Sequence, residues 1–316
     1  LPQVHTNDTI MRLEEFPQRL VVLGGGVVAA EFSHVFSALG AQVYQVVRSN
    51  RILREVDKEV VDRFIEAASH QWNILLEGSL VEIRENGDGT VTVVVEHDGE
   101  VEEIVADAVL AATGRRSNSD TLKASSFFDV DSRGFIGTDK YQRVLYNGSP
   151  VPGVFALGDV SSPFQLKHVA NHEARTVQHN LSHPDSFVAS DHRFVPAAVF
   201  SNPQIATVGL SEENARKLGE RECFEVTVKS QNYGDTAYGW AMEDSVGLAK
   251  LIARKDTGQL LGTHLVGEEA SVLIQPLIQA MSFGLGVKDM ARGQYWIHPA
   301  LTEVIENALL GLDVDN

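Results

Sequence analysis

A strand, a glycine triplet and a helix follow one another near the start of the chain, and this succession constrains the fold more than any other feature. Residues 19–23 form a short apolar run that is typical of a buried strand in a parallel sheet. In the turn that follows, Gly24 allows the sharp change of direction and Gly26 lets a pyrophosphate approach the backbone. Ala29 is the small residue that lets the next helix pack on the strand. The pattern therefore predicts an α/β fold with a Rossmann-type dinucleotide-binding domain, although glycine turns also occur where no ligand binds.

The segment after the second predicted strand, residues 42–47, indicates which dinucleotide is bound. NAD sites usually carry a carboxylate at this point, whereas the 2′-phosphate of NADP requires a cation. The sequence supplies Arg48, Arg51 and Arg54, and no acidic residue lies between the end of this strand and Glu55. Because guanidinium groups pair bidentately with phosphate, the arginines favour NADPH. A solvated basic loop is the alternative, but three neighbouring arginines stand out in a chain with 43 acidic residues against 26 lysines and arginines.

Composition limits the partners of this 316-residue chain. Its formal net charge of -17 argues against binding to nucleic-acid phosphates. No apolar run approaches the roughly 18 residues of a membrane span, and the N-terminus lacks a signal-peptide pattern. A single cysteine, Cys223, excludes an intrachain disulfide framework; we expect it to be a small packed thiol at the start of a strand. The sequence thus predicts a cytoplasmic protein with neither nucleic acid nor membrane as partner.

A second candidate site lies in the middle of the chain. A predicted buried strand over residues 154–158 ends in Asp159, and ligands of open α/β sheets bind at the carboxyl ends of strands. A predicted helix over residues 166–181 comes next, and its free N–H groups and positive dipole end favour an electron-rich group. Metal binding is one interpretation of the histidines on this segment, but no cysteine or acid constellation accompanies them, which favours a solvated helix face. These histidines are His168, His172, His179 and His183.

A histidine and a glutamate near the C-terminus form a candidate acid/base pair. Within one regular helix, a separation of five residues would place His298 and Glu303 about 140° apart around the axis. Proline is favoured in the first turn of a helix, so we expect Pro299 to open a helix over residues 300–310 and His298 to lie in the preceding loop. From there Glu303 can bind one ring nitrogen, fix the tautomer and raise the basicity of the other nitrogen. A capping histidine beside a solvated glutamate is the alternative.

Taken together, residues 24–31, 112–115, 154–159 and 298–303 resemble, in order and spacing, the pyridine nucleotide-disulfide oxidoreductases. The resemblance covers essentially the whole chain. Within the family, the amino-acid sequences of three segments are similar to those of the members that reduce mycothiol disulfide. These segments are residues 165–171, 295–301 and 306–312.

The resemblance implies a homodimeric flavoenzyme that uses NADPH, FAD and a cysteine pair to reduce a small-molecule disulfide, here mycothiol disulfide, in thiol redox homeostasis. It implies that Asp159 binds the FAD ribityl chain and that the backbone of Leu166, Lys167 and His168 faces the flavin O2 edge. His298 would protonate the departing thiolate in the active site of the partner subunit, and Glu303 would orient it.

The resemblance also assigns residues of the nucleotide site. Arg48 and Arg54 resemble the 2′-phosphate clamp of the NADPH-dependent members. Glu31 and Arg115 would line the nicotinamide nucleotide site, and Gly114 would be a further cofactor-binding residue. These roles are added to those that the glycine turn indicates for Gly24, Gly26 and Ala29.

The chain departs from the family in one respect, because the family places an FAD glycine turn and the redox cysteine pair in an N-terminal domain and this sequence contains neither. We therefore expect on the order of 100 to 200 residues to be missing before Leu1 and the chain alone to be inactive. The predicted domains are a linker, an NADPH-binding domain, a return to the FAD domain with its second motif, and an α+β dimerisation domain. They span residues 1–16, 17–114, 115–184 and 185–316.

Two other functions are compatible with the sequence. An NAD-dependent dihydrolipoamide dehydrogenase would share the fold and the acid/base pair, but the arginines after the second strand disfavour it. A non-catalytic nucleotide-binding and dimerisation module would share the fold without the redox chemistry.

Overall fold

The computed structural model describes residues 1–315, which form a mixed α/β fold with one parallel sheet and several antiparallel sheets. The chain divides into two compact units. The first unit consists of residues 1–114 together with residues 196–316, and the second consists of residues 115–195. None of the helices among residues 1–315 combines the length and the apolar character that a membrane crossing requires.

The strands, in chain order, are β1 (Val4–His5), β2 (Arg19–Leu23), β3 (Gln42–Val47), β4 (Asn73–Leu76), β5 (Ser79–Glu85), β6 (Val91–His97), β7 (Glu100–Ala106), β8 (Ala108–Ala111), β9 (Arg143–Tyr146), β10 (Ser149–Phe155), β11 (Ala197–Val199), β12 (Gln204–Gly209), β13 (Val226–Asn232), β14 (Leu248–Arg254) and β15 (Leu260–Gly267). The α-helices are α1 (Asn7–Ile10), α2 (Val27–Ala38), α3 (Lys58–Ala68), α4 (Lys167–Ser182), α5 (Glu212–Glu222), α6 (Ala237–Ala241), α7 (Ala270–Leu273), α8 (Gln275–Phe283), α9 (Val287–Arg292) and α10 (Glu303–Leu310).

The first unit contains a parallel sheet in the order β1-β8-β2-β3-β4. Its central strand β2 is wholly apolar after Arg19, and the neighbouring β3 is apolar or aromatic except at Gln42 and Gln45, as expected for strands that are covered on both faces. On one face, Val21 and Val46 pack against apolar side chains of β6, which is the middle strand of the antiparallel sheet β5-β6-β7. On the other face, Leu20 and Val22 belong to a core that includes residues of α2 and α3. The sheet therefore presents the ends of buried, rigid strands to the glycine turn.

A second antiparallel sheet in the same unit has the order β11-β12-β15-β14-β13. Ile205 of β12 and Leu248 of β14 belong to the same apolar core as the parallel sheet. Helix α10 packs on β13 and β14. The inward face of α10 consists of four fully or almost fully buried residues, which fix the position of the helix that carries Glu303. They are Val304, Ile305, Ala308 and Leu309.

The second unit contains the antiparallel pair β9 and β10 and the long helix α4. A small apolar cluster that includes Ala124, Ile136 and Val144 forms its core. After β10 the chain continues into a short 3-10 turn, Gly158–Val160, which contains Asp159. Helix α4 begins within one residue of the start predicted from the sequence.

Candidate functional site

The glycine turn has the geometry that a dinucleotide phosphate requires. Gly24 has a φ of +138°, and a Cβ at this position would lie 2.4 Å from the carbonyl oxygen of Ala112, so only glycine fits. A Cβ on Gly26 would meet no heavy atom within 4 Å. Gly26 is also the N-cap of α2 and provides no side-chain cap, so the first N–H groups of the helix have no side-chain partner from this residue. The open space and these N–H groups fit an anionic phosphate.

The other predicted residues of this turn occupy different environments. Ala29 is fully buried on the inner side of α2, as helix-to-strand packing requires. Glu31, on the same helix, accepts a hydrogen bond through Oε1 from the backbone N–H of Phe200 at 2.9 Å. Gly114 has a φ of +143°, and a Cβ on it would meet nothing within 4 Å.

The arginine loop that follows β3 lies against the glycine turn. The backbone N–H of Leu53 donates to the carbonyl oxygen of Gly25 at 2.7 Å, and this hydrogen bond joins loop and turn directly. The guanidinium of Arg51 donates to the backbone carbonyl of Arg54 at 2.7 Å and so stabilises the loop itself. Arg48 and Arg54 are exposed, and no carboxylate within residues 1–315 forms an ion pair with either. Their guanidinium groups thus fit a 2′-phosphate.

A buried glutamate, Glu173, fixes the turn that contains Asp159. The backbone N–H of Gly158 donates to Glu173 Oε2 at 2.6 Å, and His192 Nε2 lies 2.9 Å from the other oxygen of Glu173. Asp159 itself is exposed and its Oδ2 lies 3.1 Å from Arg115 Nη1. The turn therefore holds Asp159 toward solvent, where a polar ligand could contact it.

Glu173 and His192 were not identified from the sequence. Helical periodicity could have revealed Glu173, because it lies on the same buried face of α4 as Val169, Thr176 and Val177. A carboxylate on that face requires a partner. His192 gave no comparable signal, since it lies 19 residues farther along in an irregular segment.

The start of α4 has the features that were predicted for a site that binds an electron-rich group. Leu166 is the N-cap in an extended conformation and offers no side-chain cap. Lys167 and His168 begin the helix and are exposed. The Lys167 ammonium donates to Asn171 Oδ1 at 2.8 Å, along the outside of the first turn. The N–H groups of this turn are thus not capped by Leu166.

The structure brings His298 and Glu303 into contact, as predicted. His298 Nδ1 lies 2.7 Å from Glu303 Oε1, and Glu303 Oε2 accepts a hydrogen bond from the N–H of Ala300 at 3.3 Å. Because the carboxylate accepts, Nδ1 carries the hydrogen of a neutral ring and Nε2 is left for proton exchange. The imidazole is 67% exposed whereas the carboxylate is 18% exposed, so Glu303 is the fixed member of the pair.

The predicted start of the last helix was wrong. Residues 300–310 were expected to be helical from Pro299 onwards, but α10 begins only at Glu303. The N–H groups of Glu303 and Val304 donate to the carbonyls of Ala300 and Leu301, which are three residues earlier, so this stretch forms tight turns rather than an α-helix. Glu303 is consequently the first helical residue and points back to the loop that holds His298.

Cys223 also differs from its prediction. It is exposed and lies at the end of α5 with a left-handed φ of +58°, three residues before β13 begins. Three histidines of the α4 segment contact backbone groups: His172 Nε2 accepts from the N–H of Asp191, His179 Nε2 lies 3.1 Å from the carbonyl of Ser186, and His183 Nδ1 lies 3.1 Å from the carbonyl of His179. Among residues 1–315, no cluster of three His, Cys, Asp or Glu side chains is arranged to hold a metal ion.

Family models match both parts of the chain. Residues 1–174 match the pyridine nucleotide-disulphide oxidoreductase family, and residues 195–309 match the dimerisation domain of the same family.

Individual relatives agree with these matches. The chain is 52% identical over 313 residues to the mycothione reductase of Mycobacterium tuberculosis strain CDC 1551, and 32% identical over 316 residues to the dihydrolipoyl dehydrogenase of Synechocystis. The alignments cover 98% and 96% of this chain and 65% of each relative, so the chain spans about two thirds of their length.

Solved structures show the same architecture. The HOCl-induced flavoprotein disulfide reductase RclA from Escherichia coli superposes with a TM-score of 0.86 at 25% sequence identity, over 98% of this chain and 68% of that one. The strand-turn-helix, the paired His298 and Glu303 and these matches have one explanation: the chain belongs to the pyridine nucleotide-disulfide oxidoreductases.

Proposed function

We propose that the chain supplies the nucleotide-binding and interface parts of an NADPH- and FAD-dependent reductase of mycothiol disulfide. The observation that carries the proposal is the 52% identity to a mycothione reductase across 98% of the chain, compared with 32% for the dihydrolipoyl dehydrogenase. The hydrogen-bonded His298 and Glu303 support disulfide chemistry, because cleavage of a disulfide releases a thiolate that needs a proton.

In this proposal the glycine turn binds NADPH. The N–H groups at the start of α2 bind the pyrophosphate, and the open space at Gly26 allows its approach. Arg48 and Arg54 bind the 2′-phosphate, for which their unpaired guanidinium groups are suited. Glu31, Gly114 and Arg115 remain proposed residues of the nicotinamide side.

The second unit contributes to an FAD site. When bound, FAD supplies the electron relay between NADPH and a cysteine pair. Asp159 would bind the ribityl hydroxyls, and the backbone N–H groups at Leu166, Lys167 and His168 would bind the electron-rich edge of the flavin ring. Glu173 holds the turn that positions Asp159.

His298 is the proposed general acid. Its Nε2 would deliver a proton to the departing thiolate while Glu303 holds Nδ1 and stabilises the imidazolium. The strong exposure of the ring fits a role in the site of a second subunit, as do the neighbouring exposed side chains of Tyr295 and Ile297. The match of residues 195–309 to a dimerisation domain supports a homodimer.

The natural polypeptide that contains this chain, loaded with FAD, tests the proposal in steady-state assays. We expect NADPH to reduce mycothiol disulfide with a kcat/KM at least about tenfold higher than that of NADH, because the 2′-phosphate pairs with two arginines. Replacement of both arginines, Arg48→Ala with Arg54→Ala, should remove this preference and leave NADH use unchanged. Arg12→Ala, in an exposed turn outside the proposed site, serves as the control.

Two outcomes would contradict the proposal. Equal rates with the two coenzymes in the unmodified protein would refute the 2′-phosphate site. Oxidation of dihydrolipoamide with NAD, without reduction of mycothiol disulfide, would instead identify a dihydrolipoamide dehydrogenase.

A further inference from the structure

A polar side chain lies where an apolar one would be expected, in the centre of the parallel sheet. Gln45 is fully buried in β3, between Tyr44 and Val46, and the strands on both sides are apolar. Burial of an amide costs free energy unless both its oxygen and its nitrogen are hydrogen-bonded. The two partners of this amide therefore indicate why a glutamine occupies the position.

Gln45 joins a tryptophan to the glycine turn. Its Nε2 donates to the carbonyl oxygen of Gly24 at 3.0 Å, and its Oε1 accepts from Trp72 Nε1 at 3.0 Å. The indole N–H can only donate and the carbonyl can only accept, so the amide has a single orientation that satisfies both. Trp72 is 3% exposed and packs against Phe64 of α3, which fixes the donor.

These contacts determine the orientation of the turn. The N–H of Gly24 donates to the carbonyl of Val46, its carbonyl accepts from Gln45, and the carbonyl of Gly25 accepts from the N–H of Leu53. The carbonyls of the turn are thus bound by protein donors. The N–H groups that follow, at the start of α2, are left to face a ligand.

We propose that Gln45, held by Trp72, is a positioning residue for the pyrophosphate of the dinucleotide. It holds the carbonyl of Gly24 inward and so directs the N–H groups at the start of α2 toward the phosphates. The inference rests on the proposed nucleotide-binding function and adds to it a residue that does not itself contact the ligand.

The test measures ligand affinity by isothermal titration calorimetry on the 316-residue chain. The variant is Gln45→Met, which keeps approximate size and removes both hydrogen bonds, and the control is Gln42→Met, an exposed position on the same strand. The ligands are NADPH and adenosine 2′-monophosphate, which carries the ribose phosphate but no pyrophosphate. We expect Gln45→Met to weaken NADPH binding about fivefold to tenfold, the effect of one hydrogen bond, and to leave adenosine 2′-monophosphate binding unchanged.

A second variant, Trp72→Phe, tests the inference if Gln45→Met does not fold. Trp72→Phe leaves Gln45 in place but removes the donor that orients its amide, and it should weaken NADPH binding about twofold to threefold. Unchanged NADPH affinity in folded Gln45→Met would overturn the inference, and so would an equal loss for both ligands, which would indicate general loosening. If the unmodified chain binds neither ligand, the nucleotide-binding function itself is refuted, and the inference with it.

Discussion

Glu303 contacts two groups at once, the imidazole of His298 and the backbone N–H of Ala300. It therefore fixes both the histidine ring and the turn that follows it. Because Glu303 is the first residue of a helix whose inner face is buried, its carboxylate lies on a rigid part of the molecule. The exposed ring takes its orientation from this carboxylate, which is the arrangement that a general acid requires.

Substitutions of this pair should affect disulfide reduction alone. In the FAD-loaded natural polypeptide, we expect His298→Ala to lower kcat/KM for the disulfide about 10²-fold to 10⁴-fold, the usual contribution of a positioned acid. Glu303→Gln should lower it about tenfold, because an amide oxygen still accepts from Nδ1 but no longer stabilises the imidazolium. NADPH-dependent reduction of ferricyanide, which takes up electrons without a proton, should remain unchanged in both variants. A parallel fall of the two activities would show that the pair is structural.

Residue pairs could be predicted from the sequence only where they are close along the chain. His298 and Glu303 are five positions apart, and local geometry alone restricted how they could meet. Gln45 and Trp72 are 27 positions apart and are brought together by the parallel pairing of β3 with β4. No local pattern marks such a contact, because the register between strands is set by the tertiary fold.

At the scale of elements, Asp57 connects two helices and a strand. Its Oδ1 accepts from the N–H of Glu59 at the start of α3, and its Oδ2 accepts from the N–H of Glu212 at the start of α5. The ammonium of Lys250, on β14, lies 2.9 Å from the same carboxylate. Lys250 also lies 3.0 Å from Glu59 and 2.7 Å from Glu212. This cluster, in which Asp57 and Lys250 are buried, joins the starts of α3 and α5 to strand β14 of the second antiparallel sheet.

Removal of the lysine should destabilise the fold. In Lys250→Met, Asp57 keeps its buried charge but loses its counter-ion, and loss of one partner of a buried pair typically costs about 3 to 5 kcal/mol. We expect a loss near the lower end, about 3 kcal/mol, because two backbone N–H groups still bind Asp57. Urea unfolding of the chain measures it. Lys58→Met, which removes an exposed i,i+4 pair with Asp62, should cost less than about 1 kcal/mol. Equal losses of unfolding free energy in the two variants would show that Lys250 stabilises the fold no more than an exposed ion pair does.

The same cluster determines a dependence on pH. Burial opposes the charge of Asp57, but hydrogen bonds from the backbone N–H of Glu212 and from Lys250 outweigh it and hold the pKa of this carboxyl below its ordinary value. Burial also opposes the charge of Glu212, and hydrogen bonds from Lys250 and Arg216 lower the pKa of that carboxyl. Burial likewise opposes the charge of Lys250, yet its three carboxylates raise the pKa of the ammonium. The cluster therefore stabilises the fold fully between about pH 5 and pH 10, and this contribution declines on either side. In Lys250→Met both declines should shrink, because the titrating ammonium is gone and the pKa of Asp57 and Glu212 is no longer lowered by it.

Where the pattern of apolar residues was strong, the observed helices and strands agreed closely with those predicted from the sequence. The bounds of β2 and β3 agree with the predicted ranges, because both strands consist mainly of valine, leucine or tyrosine, which favour buried strands of a parallel sheet. Strand β4 and helix α9 were not predicted. Both are short, and their positions depend on tertiary contacts rather than propensity, since β4 pairs with β3 and α9 packs against α10.

At the scale of the whole molecule, the proposed role of His298 requires two subunits. A mixed dimer tests this: one subunit carries His298→Ala, and the other has serine in place of the redox cysteines that the family carries. If His298 serves the partner's sulfurs, one of the two sites in this dimer is intact, and we expect about half of the unmodified rate per dimer. If His298 serves its own subunit, the mixed dimer is inactive. A homodimer of either variant should be inactive and serves as the control.

Domain boundaries are less well determined than the elements. The predicted nucleotide-binding domain, residues 17–114, and the predicted dimerisation domain, residues 185–316, remain a proposal. In the structure, residues 1–114 and 196–316 share one apolar core, to which Val22, Ile205 and Leu248 contribute. A boundary drawn from composition cannot reveal such a shared core, because it depends on which faces of the two sheets meet.

The hydrogen bond from Leu53 to Gly25 limits how this protein could be redesigned for another coenzyme. A transplanted loop of different length or backbone path would break this link beside the glycine turn. Point substitutions of Arg48 and Arg54 leave the backbone of Leu53 unchanged. Redesign should therefore alter side chains within the existing loop and preserve its length.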